Sequence, residues 1–161
     1  MIRISRRICS ATLLTLLCIT ALTTHASEHG LTEHGQPALE GFSPVSYHEK
    51  GHPEMGLKKH RSIHKGNVYW FTSAEQKKTF DAAPGEYAPT FPRSCPYNLA
   101  KGRVETVDPT NFKIVDGQLL LFHRSPDQDG LQRWEESVVK DRITEKELLR
   151  RAKSNFIDLK F

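Results

Sequence analysis

The stretch Lys113-Ile114-Val115-Asp116-Gly117-Gln118-Leu119-Leu120-Leu121-Phe122 decides how this chain folds. Two apolar runs flank Asp116-Gly117. A two-residue Asp-Gly loop suits the left-handed conformations of the tight turn that joins twisted antiparallel strands. The stretch therefore predicts a β-hairpin of Lys113–Val115 and Gln118–Phe122. Upstream, Arg61–Ile63 and Asn67–Thr72 predict a second pair of strands around His64-Lys65-Gly66. Val68-Tyr69-Trp70-Phe71 is the β-branched and aromatic composition that a half-buried strand prefers. Val45–Tyr47 predicts a further short strand after the turn residues Gly41 and Pro44, and His48–Gly56 predicts a loop.

Helical signals lie between and after the strands. Ser73 with Gln76 reads as a capping box for a helix to about Ala83, with Phe80 facing the core and Pro84 ending it. Gly85–Arg93, with Pro89 and Pro92, predicts irregular chain. Cys95-Pro96-Tyr97-Asn98-Leu99-Ala100-Lys101-Gly102 predicts a short helix opening at Cys95, with proline in its first turn and glycine past its end. Asp108-Pro109 is a turn signal, and Asp127–Gly130 predicts a loop. Leu131–Lys140 predicts a helix carrying Trp134. Thr144 and Glu147 cap another that reaches about Asn155, with Leu148, Leu149, Ala152 and Phe156 as its apolar stripe. The expected class is α+β: a small antiparallel sheet with a following helix, a short Cys-capped helix, a hairpin and C-terminal helices.

The first residues have a different character. Met1–Arg7 carries Arg3, Arg6 and Arg7, and Ile8–Leu22 is uncharged. An apolar run of about fifteen residues is short for a membrane-spanning helix. Thr24-His25-Ala26 offers a small-residue cleavage site. Residues 1–26 therefore predict an export signal, with a retained anchor as the competing possibility. The expected organisation is a signal at 1–26, a mobile arm at 27–37, a domain at 38–123, and a helical extension at 124–161 packing on it. The expected location is periplasmic or secreted.

Export changes the arithmetic of the whole chain. The 161 residues hold 23 Lys and Arg against 19 Asp and Glu, and the pI is near 9.0. Without Arg3, Arg6 and Arg7 the positive residues number 20 against 19 acids, so the surplus falls from +4 to +1. A nucleic-acid partner needs clustered surplus base on the folded domain. The densest run, Lys58-Lys59-His60-Arg61, is short and reads as a solvated face. No nucleic acid and no membrane span after cleavage are expected. Cys9 and Cys18 would leave with the signal. Cys95 would remain alone in an oxidising compartment, where a single thiol is buried, metal-bound, reactive or paired between chains.

Several segments line up in order with one family. Gly41-Phe42-Ser43-Pro44-Val45-Ser46-Tyr47, Gly66–Ser73, Phe80–Tyr87, Cys95 and the Asp116-Gly117 hairpin resemble the YHS-domain family in its exported single-domain form, over about Ala38–His123. The resemblance implies a metal-related binding protein. The chain departs from the metal-binding pattern where it matters: Ser46 and Thr72 stand where those domains place thiolates, Ser43 replaces an aspartate, and Pro92 and Arg93 replace glycines before Cys95.

Candidate site residues follow from chemistry. A thiol at a helix start faces unpaired N–H groups, which favours the thiolate, and Arg93 nearby adds to this. Cys95 is thus a candidate reactive thiol or soft-metal ligand; a small buried hydrophobe is the alternative. His48, His52, His60 and His64 fall within seventeen positions, with Met55 among them. Imidazole with a thiolate suits copper or zinc, so Cys95, His48, His60 and His64 form the expected metal set. His123 reads as structural or solvent-facing. Tyr69, Trp70, Phe71, Phe80, Tyr87 and Tyr97 read as core. No hydrolase elbow, phosphate loop or dinucleotide fingerprint occurs, so no catalytic residue is assigned. The expectation is a non-enzymatic extracytoplasmic binding protein handling copper or zinc. A thiol redox protein using Cys95 and a non-catalytic envelope module with a protein partner are the alternatives.

Overall fold

The computed structural model of the chain describes residues 36–159. The expected export signal and nearly all of the expected arm lie outside them. The architecture is α+β, with two separate two-stranded antiparallel sheets and six α-helices among the described residues. Strand β1 (Leu57–His64) pairs with β2 (Asn67–Phe71), and β3 (Asp108–Val115) pairs with β4 (Gln118–Phe122). Between the hairpins run α2 (Ala74–Ala82), α3 (Pro84–Tyr87) and α4 (Pro96–Ala100); α5 (Gly130–Lys140) and α6 (Glu145–Asp158) follow.

The decisive hairpin forms as its turn residues require. Asp116 and Gly117 both adopt positive φ, 49° and 74°, the pair of left-handed conformations that matches strand twist. Val115 then faces Gln118, and Ile114 faces Leu119. The other hairpin turns through Lys65 and Gly66, also at positive φ. Asp108-Pro109 opens β3 rather than standing as a free turn. Its turn chemistry persists within the strand end. The Asp108 carboxylate accepts from the Thr110 N–H (2.8 Å) and hydroxyl (2.7 Å), and pairing is irregular from Asp108 to Phe112, where the proline lacks a donor.

Helix ends follow their caps. The Ser73 hydroxyl accepts from the Gln76 N–H, and the Thr144 hydroxyl from the Glu147 N–H. The Asp129 carboxylate opens α5 by accepting from the N–H groups of Leu131 and Gln132. At the end of α4, Gly102 N–H donates to Leu99 C=O and Arg103 N–H to Asn98 C=O, both 2.9 Å. With Gly102 at φ 73°, this is a Schellman cap.

The expected strand at Val45–Tyr47 is instead helix α1 (Pro44–Lys50). Proline at the first helical position set that direction, and burial overrode β propensity: Val45 and Tyr47 are both fully enclosed. The Tyr47 hydroxyl donates to the Pro109 carbonyl at 2.8 Å, joining α1 to β3. Pro84 ends α2 but also opens the single turn of α3, so only Ala88–Arg93 of the expected irregular stretch is irregular.

Two apolar clusters fill the interior. One gathers Val45, Tyr47, Tyr69, Phe71 and Phe80 with Leu119 and Leu121. The other gathers Cys95, Leu99, Trp134 and Leu148 with Leu120 and Phe122. Helix α6 is tied to α4 by the Asn155 side-chain amide donating to the Leu99 carbonyl at 2.7 Å. Among the described residues no helix is long and apolar enough to cross a membrane.

Gly56 shows how tightly the first hairpin is wrapped. A Cβ there would lie 2.6 Å from the Trp70 carbonyl carbon and 2.7 Å from the Phe71 nitrogen. Backbone cannot swing aside as a side chain can. Gly56→Ala is expected to cost about 3 kcal/mol in urea denaturation. Gly85→Ala, which meets open space, should stay within about 0.5 kcal/mol.

Candidate functional site

Cys95 sits at the N-cap of α4, where the sequence places it. Its thiol makes no capping bond to the helix N–H groups. The residue is 0% exposed and belongs to the second apolar cluster. Its backbone is fixed on both sides: its N–H donates to Glu105 C=O, and its C=O accepts from Leu99 N–H, each at 2.9 Å. The sulfur lies against Gly130 so closely that a Cβ on that glycine would come within 2.8 Å of it. A hidden sulfur surrounded by Leu, Phe and Trp side chains is packing material.

The expected metal set is not brought together. Cys95 is in the second cluster. His48 lies in the last turn of α1 and His64 at the end of β1, each packed on a ring of the first cluster's side, and His60 lies on β1. Among the described residues, no group of three His, Cys, Asp or Glu side chains could hold a metal ion. His52 is exposed and His123 has its Nδ1 3.0 Å from the Thr106 carbonyl oxygen. The buried hydroxyls of Ser43 and Ser46 serve hydrogen bonding. The Ser46 hydroxyl donates to Ser43 C=O (2.7 Å) and accepts from Glu54 N–H (2.9 Å). The Ser43 hydroxyl donates to Gln76 Oε1 at 2.7 Å, and Thr72 N–H reaches the same oxygen at 3.4 Å. Gln76 therefore joins α1 to α2 instead of closing the reciprocal half of its capping box.

The histidines mark a different feature. His48 and His64 each carry a buried Nε2 without a hydrogen-bond partner among the described residues. His48 packs edge-on to Tyr87, with ring centroids 5.3 Å apart, and His64 edge-on to Phe80 at 6.1 Å. His48 lines a cleft with Glu86, Tyr87 and Asp116. His64 lines a second with Lys65, Asn67 and Tyr69. The two clefts share Gly85 and Gln118, so they form one groove between the hairpin turns. Sequence reasoning placed Tyr69, Trp70, Phe71 and Phe80 in the core. Tyr69, Phe71 and Phe80 are there, whereas Trp70 is half-buried on the opposite face against Gly41. The groove itself was not foreseen; its one sequence signal is the pair of prolines, Pro89 and Pro92, after a helix stop.

With this geometry in view, the chain matches no family model, no curated protein and no solved structure.

Two expectations follow. Gly130→Ala should cost about 1–3 kcal/mol by overpacking and clearly less in a Cys95→Ala background, where the methyl occupies space the sulfur leaves. Strict additivity in a denaturation double-mutant cycle would place the sulfur elsewhere. Burial lowers the pKa of His48 below its usual value, with Glu86 opposing. A depressed folded pKa gives stability that is present above about pH 6.5 and lost as pH falls through the folded value. The fall in urea midpoint from neutral to mildly acidic pH should therefore shrink in His48→Asn.

Proposed function

We propose that the chain is an exported, YHS-like binding module and not an enzyme, with Cys95 a core residue and a protein or small molecule of the envelope as its partner. The complete burial of Cys95 carries this reading. A thiol acting in redox chemistry must meet its partner, and a soft-metal ligand must meet other ligands. Cys95 meets leucine, phenylalanine and tryptophan. The in-order YHS-like segments and the short apolar leader support the family and the compartment. The separation of Cys95 from His48, His60 and His64 weighs against the copper- or zinc-handling version of the function.

The test uses protein recovered after expression of the full chain. Its intact mass reports whether residues 1–26 have been removed. A thiol reagent is then applied to native protein, with and without Cu(I) or Zn(II). We expect no adduct on Cys95 in the native state, full labelling in denaturant, and no metal adduct. Rapid native labelling would favour the redox alternative. A stoichiometric metal adduct that Cys95→Ser abolishes would restore the metal site.

A further inference from the structure

We propose that the groove between the two hairpin turns binds a small organic acid, with its carboxylate held by Arg93 and the Tyr69 hydroxyl and its apolar body against Pro89, Pro92 and Phe156. The proposal goes beyond the binding-module reading by supplying the site and the ligand class.

The first support is Tyr69. The residue is 1% exposed, yet it lines the cleft, and its hydroxyl has no hydrogen-bond partner among the described residues. The oxygen is not among the buried polar atoms left without a partner, so it opens to the cleft and is free to donate there. Phenylalanine would fill the same core space, so the oxygen is the part the core does not use. Burial pushes the pKa of this hydroxyl up to about 12, against the pull of Arg93. It therefore stays a proton donor at neutral pH.

The second support is charge. The cleft beside Tyr69 has a volume of about 440 Å³, within the range of small-molecule sites. His64 and Lys65 line it. It continues past Asn67 and Pro92 into a smaller recess lined by Arg93 and Ser94. No carboxylate lines either part. Arg93 is exposed and makes no ion pair among the described residues, where nine other pairs form. The acids of this region, Glu86 and Asp116, lie past Gly85 and Gln118 beside His48. They would repel an anion toward the basic end.

The third support is the wall. Pro89 and Pro92 have no N–H, and with Ala88 and Phe156 they present an apolar side. Phosphate sites are built from successive backbone N–H groups or helix N-termini, which a proline-rich wall does not provide. A single planar guanidinium with one phenolic donor suits a carboxylate.

The test is an amide-resolved NMR titration of the recovered protein with benzoate, phenylacetate and isovalerate. Each acid is paired with its neutral amide: benzamide, phenylacetamide or isovaleramide. At millimolar concentration at least one acid should give saturable shifts centred on Asn67, Thr90 and Gln118, and its amide should not. Arg93→Ala should weaken binding about tenfold or more, and Tyr69→Phe several-fold, both with unchanged folds by the same spectra. The site is overturned if no acid shifts these amides, if the amides bind as well as the acids, or if Arg93→Ala leaves affinity unchanged. Protection of Cys95 from labelling is measured on the same samples. Loss of the acid site with Cys95 still protected refutes this site alone, whereas a reactive Cys95 refutes the broader reading.

Discussion

Strand β4 is the constraint on which the rest of the molecule depends. Its four residues Leu119–Phe122 are all buried, and alternate side chains of a strand point to opposite faces. Leu119 and Leu121 enter the cluster built by α1, α2 and the first hairpin. Leu120 and Phe122 enter the cluster built by α4, α5 and α6. One strand thus serves two cores. A slip of one residue would exchange the contents of both, so its register must be fixed independently. The Asp116-Gly117 turn does this, because its two left-handed residues admit a single pairing of Val115 with Gln118. The run of three leucines and a phenylalanine, which has no alternation of its own, becomes interpretable only from the turn.

The same strand positions the groove. Thr90 N–H donates to the Leu119 carbonyl at 3.0 Å, which anchors the proline-bearing segment after α3 to β4. Gln118, the first residue of β4, then lies at the junction of the two clefts, and the turn His64–Asn67 closes the other side. Tyr69 is the residue common to both environments: its ring packs on Phe80, centroids 5.1 Å apart, while the side chain also lines the cleft.

Local signals with one geometric solution were legible in the sequence. Asp116-Gly117, Ser73 before Gln76, Thr144 before Glu147 and Cys95-Pro96…Gly102 each specify backbone dihedrals directly, and each formed. Val45–Tyr47 was misread because β-branched and aromatic residues report burial as readily as strand. The proline before them, a helix-start signal, was the better guide. The candidate site was legible in its residues and not in their grouping. His48, His64, Arg93 and Tyr69 were all noticed, but distance along the chain carries no record of which side chains meet. Tyr69 lies in the core as the composition of its strand suggests, and only the fold shows that the same side chain also borders a cleft.

The hydroxyls of Ser43 and Ser46 tie together the first half of the molecule. Both residues are fully buried. Together they hold α1 to α2 and to the loop before β1 through bonds to Gln76, the Ser43 carbonyl and Glu54. Sulfur is a weak donor and a weak acceptor, so a thiol at Ser46 would loosen the loop that the hydroxyl closes. The one remaining thiol has the opposite placement, enclosed by apolar side chains with Gly130 against its sulfur. Oxygen thus stands where polar bonding is needed and sulfur where packing is needed. The buried Nε2 atoms of His48 and His64, left without a partner among the described residues, belong to residues that line the groove, which makes it the place to look for a ligand.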